Sequence, residues 1–156
     1  MGDFTIAGMT LIGGRWVGEG GAIRSRTTGS LTVTDSMILG NKASSGGGIY
    51  ANGDMELIDS TVTDNSTSAR GGSGGGIYTN GDVVLAESTI SGNVAAGFLA
   101  SGGGVHANGN VTVNSSTVSG NTGNYSGGGI RGDSVSVNTS TITGNSVMGF
   151  KYAYGG

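Results

Sequence analysis

A single phrase recurs along the chain and limits what the chain can fold into. In its fullest form it begins with a run of glycines, continues through Asn-Gly-Asp and an apolar alternation, and ends with Ser-Thr-Val-Thr-x-Asn. Repeats of about this length form stacked arrays in which each unit contacts only its neighbours. The phrase therefore predicts one repeat domain over residues 1–156. The glycine runs end, after steps of 26, 28, 28 and 25 residues, at Ile23, Ile49, Ile77, Val105 and Ile130.

Composition excludes several other classes of protein. The chain has 35 glycines in 156 residues but no proline and no three-residue period, which excludes collagen. Charged residues make up 11% and the net charge is −3, with seven scattered basic residues, so no nucleic-acid-binding surface is predicted. Cysteine is absent, which excludes disulfides and thiolate metal sites. No stretch approaches the roughly 20 apolar residues of a membrane span, and the first residues lack a signal-peptide pattern.

The copy from Gly46 to Asn65 indicates how each repeat folds. Ile49-Tyr50 follows the glycines as a short extended segment, and Asn52-Gly53 is a turn signal because both residues tolerate positive φ. Met55–Leu57 and then Ser60–Thr63 alternate apolar and polar residues, which is the period of a half-buried strand. Three short strands per coil of 25–28 residues predict an all-β solenoid of about five to six coils. Each strand is expected to pair in parallel with its equivalent one coil away, at about 4.8 Å.

An asparagine follows the third strand at a fixed position in five copies. We expect these side chains to point inward and to bond their own backbone and the amide of the next coil, because buried polar groups need partners. The alternative is that they are surface turn residues. The predicted ladder consists of Asn41, Asn65, Asn93, Asn121 and Asn145.

These residues carry a family resemblance. The glycine-glycine-x-Ile element, as in Gly20–Ile23, and the apolar-x-x-Asn element, as in Ile38–Asn41, resemble the repeats of the chlamydial polymorphic outer-membrane proteins. The wider resemblance covers essentially the whole chain. It is to bacterial and archaeal extracellular repeat proteins of the right-handed parallel β-helix, or pectate-lyase-like, superfamily. It implies a right-handed coil, secretion or display on a prokaryotic cell surface, and a role in adhesion or structure.

One outward column follows the glycine runs and reads Arg24, Tyr50, Tyr78, His106 and Arg131. Tyr50, Tyr78 and His106 form a candidate glycan-contact stripe, because aromatic faces present apolar surface to a sugar. No pair of carboxylates flanks His106, although glycoside hydrolysis usually uses two. Asp54 and Asp82 follow Asn-Gly and are interpreted as turn residues rather than metal ligands. The sequence therefore predicts no catalytic residue, metal site or cofactor, with a polysaccharide lyase or hydrolase as the alternative.

A second outward pattern lies on the third strand of each coil. If Val62 points inward, its neighbours point outward, and the same holds in three later copies. The resulting two columns of hydroxyls resemble the Thr-x-Thr surface of β-solenoid ice-binding proteins, although threonine also suits exposed strand positions in general. The candidate array is Thr61, Thr63, Thr89, Ser91, Thr117, Ser119, Thr141 and Thr143.

The segments that return to each glycine run carry large apolar side chains. Loops on a rigid scaffold often carry recognition, so these side chains either contact a partner or fold back over the coil edge. They are Trp16, Phe98, Leu99, Tyr125, Phe150, Tyr152 and Tyr154.

Together these patterns predict a non-enzymatic, extracellular structural or adhesive module. Neither end of the sequence shows a cap, so the chain is expected either to be a segment of a longer solenoid or to stack end to end into filaments. Folding of Phe150–Tyr154 over the last coil is the alternative. The expected partners are a second copy, adjoining coils of a parent protein, or surface glycans.

Overall fold

The computed structural model describes residues 2–149 and contains, within them, 22 strands and no helix. We find no helix there with the length and apolarity to cross a bilayer. The strands are β1 (Phe4–Ala7), β2 (Thr10–Ile12), β3 (Ile23–Ser25), β4 (Leu31–Thr34), β5 (Met37–Leu39), β6 (Lys42–Ala43), β7 (Ile49–Ala51), β8 (Met55–Ile58), β9 (Thr61–Thr63), β10 (Ser66–Thr67), β11 (Ile77–Thr79), β12 (Val83–Ala86), β13 (Thr89–Ser91), β14 (Val94–Ala95), β15 (Val105–Ala107), β16 (Val111–Asn114), β17 (Thr117–Ser119), β18 (Thr122–Gly123), β19 (Ile130–Arg131), β20 (Val135–Asn138), β21 (Thr141–Thr143) and β22 (Ser146–Val147).

Four parallel sheets run along the axis of a solenoid, and each strand pairs with its equivalent one coil away. We name the sheets by their residues. The glycine-run sheet is β3-β7-β11-β15-β19, the four-residue sheet is β1-β4-β8-β12-β16-β20, the hydroxyl sheet is β2-β5-β9-β13-β17-β21, and the two-residue sheet is β6-β10-β14-β18-β22. The predicted all-β parallel solenoid is confirmed. The structure adds the two-residue sheet as a fourth strand per coil, formed just after the ladder asparagine.

The core is a set of apolar columns inside the coils. On the four-residue sheet, Met55 and Leu57 point inward and are 1% and 0% exposed, while Glu56 between them points outward. Parallel in-register pairing repeats this alternation coil after coil, so Met55 lies beside Val83 in the next coil. Burial of apolar surface stabilises the fold by about 25 cal/mol per Å². An isolated coil would lack this contribution on the two faces that contact neighbouring coils.

The glycine runs form a corner that no larger residue could form. Gly74 has a φ of +67°, a conformation that L side chains rarely adopt. A Cβ on Gly75 would lie 2.4 Å from the carbonyl oxygen of Gly103, and a Cβ on Gly76 would lie 3.0 Å from Cγ of Asn93. The first glycine of the run therefore provides the turn. The next two allow the close approach of the neighbouring coil and of the ladder amide.

Candidate functional site

The five ladder asparagines lie in one column inside the coils, after the hydroxyl sheet. The side-chain nitrogen Nδ2 of Asn65 donates to the carbonyl oxygens of Ile38 at 3.0 Å and Thr63 at 2.9 Å, and to Oδ1 of Asn93 at 3.0 Å. Its own Oδ1 accepts from the backbone N–H and the side-chain amide of Asn41, both at 2.9 Å. Asn65 is fully buried. The column therefore satisfies polar groups inside the solenoid and offers none of them to a ligand.

The hydroxyl array lies on the outer face of the hydroxyl sheet, in two columns that share one register. One column is Thr61, Thr89, Thr117 and Thr141, and the other is Thr63, Ser91, Ser119 and Thr143. Ser91 Oγ donates to Thr63 Oγ1 at 3.0 Å, so the second column bonds partly to itself. In the second coil the two columns are occupied by Met37, 42% exposed, and Leu39, and in the first coil by Thr10 and by Ile12, 66% exposed. The continuous hydroxyl surface thus begins at the third coil.

Tyr50, Tyr78 and His106 project from the glycine-run sheet and stack on one another. The centroids of Tyr50 and Tyr78 are 5.3 Å apart with 4° between the ring planes, and those of Tyr78 and His106 are 5.0 Å apart with 23°. Tyr78 is therefore covered on both faces, and the stripe presents ring edges and hydroxyls rather than open faces. Burial and then the Glu19 carboxylate raise the pKa of the Tyr50 phenol, so it stays protonated at neutral pH.

A second asparagine ladder, which the sequence analysis did not identify, runs beside these rings. Asn80 Nδ2 donates to Asn52 Oδ1 at 2.9 Å and to the Tyr50 hydroxyl at 3.3 Å. Asn108 repeats the pattern, donating to Asn80 Oδ1 at 2.9 Å and to the Tyr78 hydroxyl at 3.2 Å. The signal in the sequence is an asparagine two residues after each of three aromatic residues. We call Asn52, Asn80 and Asn108 the outer ladder.

His106 ends the ring stack, and it is held as a neutral imidazole. Its side chain is 7% exposed, and Arg131 Nη1 lies 2.8 Å from Nε2. Because a guanidinium can only donate, Nε2 accepts this bond. Burial first, and then the charge of Arg131, lower the pKa of His106. The lone pair of Nε2, which a general base would use, is thus directed at a cation.

The carboxylates of the Asn-Gly-Asp turns bond to backbone. Asp54 Oδ1 accepts from the N–H of Asp82 at 2.9 Å, and Asp82 Oδ1 accepts from the N–H of Asn110 at 2.7 Å. Within residues 2–149 no three side chains of the ligating types are grouped to hold a metal ion. These two acids therefore join successive coils at the turn.

The aromatic residues of the return segments lie outside the core. Trp16 is 55% exposed and Tyr125 is 63% exposed, whereas Phe98 has the Arg70 guanidinium 5.1 Å from its ring centroid. Leu99 is 43% exposed. Three further residues of the set, Phe150, Tyr152 and Tyr154, lie outside the described residues.

Comparison with known proteins gives one match. A family model described as "Right handed beta helix region" matches residues 3–156, nearly the whole chain. No curated protein and no solved structure matches. The family model agrees with the in-register parallel coils described above and adds their handedness.

Proposed function

The chain belongs to the right-handed β-helix family, and from this premise we propose that it is a non-enzymatic structural or adhesive module outside a prokaryotic cell. In this role the solenoid is a rigid support whose coils continue by stacking. The added coils come from a second copy or from an adjoining part of a parent chain. The outer side chains then act as a fixed, repeating surface.

One observation carries the proposal: the apolar interior is exposed at the last described coil. Val111 and Val113 are 1% and 0% exposed, whereas their partners one coil further, Val135 and Val137, are each 45% exposed. Within residues 2–149, the strand that carries Val135 and Val137, β20, pairs only with β16, so its other edge presents unpaired backbone groups there. Such edges pair readily with another strand, and a further coil would bury the exposed valines.

The first coil offers a matching surface. Phe4 is 54% exposed, and a cavity of about 520 Å³ opens beside Ile6, Leu11 and Ile23. The two end surfaces differ from each other, so contact between copies is heterologous and propagates along the axis unless it closes. Stacking would therefore produce a rod that lengthens with concentration.

Sedimentation velocity over a concentration series, with negative-stain microscopy, tests this proposal. We expect the sedimenting mass to rise with concentration and short rods to lengthen along one axis. Val137→Lys places a charge on the exposed end and should abolish the rise. Ser136→Lys, on the outward side of the same strand, is the matched control and should leave it unchanged.

A well-folded chain that stays monomeric at high concentration would contradict the proposal. Equal effects of Val137→Lys and Ser136→Lys would contradict it as well, because net charge rather than the end surface would then explain the change. Circular dichroism of both variants establishes that each remains folded.

Ice binding is the second candidate function, and the register of the hydroxyl array favours it. Equivalent hydroxyls of one column recur with the strand spacing of about 4.8 Å on a parallel sheet, which makes a regular two-dimensional grid. The members of the first column in the third to fifth coils, Thr61, Thr89 and Thr117, are half-buried. A grid of this kind can order a water layer only if its outer face stays flat and hydroxylated.

Thermal hysteresis measurements test the second candidate. The double variant Thr89→Leu and Thr117→Leu should lose hysteresis, because it removes two adjacent hydroxyls from one column. Thr112→Leu, on the outer face of the four-residue sheet, is the control and should retain it. Absence of hysteresis in the wild-type protein would eliminate this function.

A further inference from the structure

A cleft of about 340 Å³ lies beside the two-residue sheet at the first coils. Trp16 and Val17 line it together with the nearly buried Ala43. Two backbone hydrogen bonds join the segment 16–18 to the second coil. The Trp16 N–H donates to the Lys42 carbonyl at 2.9 Å, and the Ser44 N–H donates to the Gly18 carbonyl at 2.7 Å. Backbone hydrogen bonds between the first two coils therefore hold the residues that line the cleft in place.

Two cations lie side by side at this cleft. Arg15 and Lys42 pair as an isolated parallel bridge, so they occupy equivalent positions on neighbouring coils, and both side chains are exposed. Neither forms an ion pair with a carboxylate in residues 2–149, where the one ion pair joins Arg24 and Glu19. Like charges placed directly opposite each other are destabilising. An anion bound between the two cations would remove that repulsion.

The indole of Trp16 supplies the apolar part of the cleft. Trp16 is 55% exposed, and a Cβ on Gly18 would lie 2.3 Å from its Nε1. The ring thus depends on a glycine at position 18 for its position. An aromatic ring beside cations suits a ligand that has both an apolar face and a negative charge.

We propose that this cleft binds an anionic sugar residue, carrying a carboxylate or a sulfate, of a surface glycan. The C–H face of the sugar ring packs on Trp16, and the anionic group lies between the Arg15 guanidinium and the Lys42 ammonium. Guanidinium groups bind such oxyanions with two parallel hydrogen bonds. The volume is at the small end of ligand pockets and fits one or two sugar rings. The proposal rests on the adhesive function proposed above and names its ligand class.

The single tryptophan of the chain makes the test direct, because emission under tryptophan-selective excitation reports on Trp16 without the five tyrosines. Three probes share one neutral body: lactose, 3′-sialyllactose with a carboxylate, and 3′-sulfolactose with a sulfate. We expect a saturable change in emission with at least one anionic probe, and roughly tenfold weaker binding of lactose. The probe that responds identifies the anionic group. The proposal would be overturned if all three probes bound equally well or if none of them bound.

Variants separate the site from the general charge of the protein. The double variant Arg15→Gln and Lys42→Gln should weaken anionic-probe binding by roughly tenfold or more, whereas Arg26→Gln, another exposed basic residue, should not. Gly18→Ala should displace the indole, which saturation-transfer NMR on the probe would detect as lost ring contact. Unchanged binding in the double variant would overturn the proposal. Val137→Lys should leave probe binding intact, so a failure of coil stacking and a failure of this cleft remain distinguishable.

Discussion

The two asparagine ladders have the same residue type and the same coil spacing, but they differ in what surrounds them. Asn93 of the inner ladder is fully buried and bonds the backbone of the neighbouring coil, with its Nδ2 2.9 Å from the Val62 carbonyl oxygen. Asn80 of the outer ladder is exposed, and its side chain bonds other side chains, namely those of Asn52, Tyr50, Tyr78 and Asn108. Water can replace the partners of Asn80 but cannot reach those of Asn93.

This difference teaches that repetition alone does not measure importance for stability. A hydrogen bond adds about 0.5–1.5 kcal/mol net, but leaving a buried partner unsatisfied costs about 1–3 kcal/mol. The inner ladder therefore contributes to stability mainly by preventing that cost, whereas the outer ladder organises a surface.

Asn93→Ala should destabilise the solenoid by roughly 2–4 kcal/mol, because it leaves the buried N–H of Asn65 without a partner and removes the other hydrogen bonds of the Asn93 side chain. The N–H of Asn65 is now bonded to Asn93 Oδ1 at 3.0 Å, whereas the Val62 carbonyl, which Asn93 Nδ2 also bonds, keeps its place in the strand pairing with the next coil. Chemical denaturation followed by circular dichroism measures the loss. The same substitution in the same coil, Asn80→Ala, is the control. Equal losses for the two variants would contradict the distinction between the ladders.

Gly76→Ala should displace the inner ladder without removing any of its residues. We expect overpacking to lower the free energy of unfolding by roughly 1–3 kcal/mol. The added Cβ would lie 2.8 Å from the carbonyl oxygen of Gly104 and 3.0 Å from Cγ of Asn93, so one of them must move. Denaturation measures the loss, and NMR of the Asn93 side-chain amide shows whether the ladder shifts. Ser91→Ala on the outer face is the control. An unchanged Asn93 amide would mean that the glycine run and the ladder are independent.

Acidification should destabilise the fold through His106, which ends the ring stack beside the outer ladder. The folded protein has a lowered His106 pKa, so below about pH 6.5 the unfolded chain binds more protons than the folded one. Stability from this group is complete above that pH and falls as the pH drops towards the folded pKa. The loss between about pH 7.5 and 5 should be smaller in His106→Gln. Arg131→Gln removes one cause of the lowered pKa and should also reduce the loss, and an equal loss in all three proteins would contradict the assignment.

Asn80→Ala should have the smallest effect, less than about 0.5 kcal/mol, because its partners remain open to water. The change should appear instead at the stripe, where the Tyr50 hydroxyl loses a donor at 3.3 Å. A spectrophotometric titration of the tyrosines, compared with that of Asn108→Ala, measures it. Loss of more than about 1 kcal/mol would show that the outer ladder also supports the fold.

The fold could be predicted largely because the inward positions repeat in register. Met55 and Leu57 alternate with outward residues, and the glycine runs fix the phase of each coil. The fourth strand could not be predicted, because Ser66–Thr67 is two residues long and alternation needs a longer window. Its pairing becomes visible only once the neighbouring coils are in place.

The outer ladder was missed because its signal was interpreted as a turn. Asn52 precedes Gly53, a pair expected to use positive φ, but neither residue has it. A Cβ on Gly53 would instead lie 2.4 Å from the carbonyl oxygen of Gly29, so the glycine is there for a close approach. The outward direction of Tyr50 and Tyr78 follows from alternation, but their mutual stacking depends on the coil spacing and could not be read from either residue alone.

In-register stacking also has a genetic consequence. Ile77 lies between Ile49 and Val105, each 28 residues away, and every neighbouring column follows the same order. An in-frame deletion of one 28-residue coil, the coil that contains Ile77, would bring Ile49 against Val105 and Tyr50 against His106. The apolar columns and the inner ladder would stay continuous. Duplication of the same segment would be equally compatible with the register. Unequal recombination between such repeats could therefore change the length of the solenoid in whole coils. Related strains would then be expected to differ in coil number more readily than in the residues of a column.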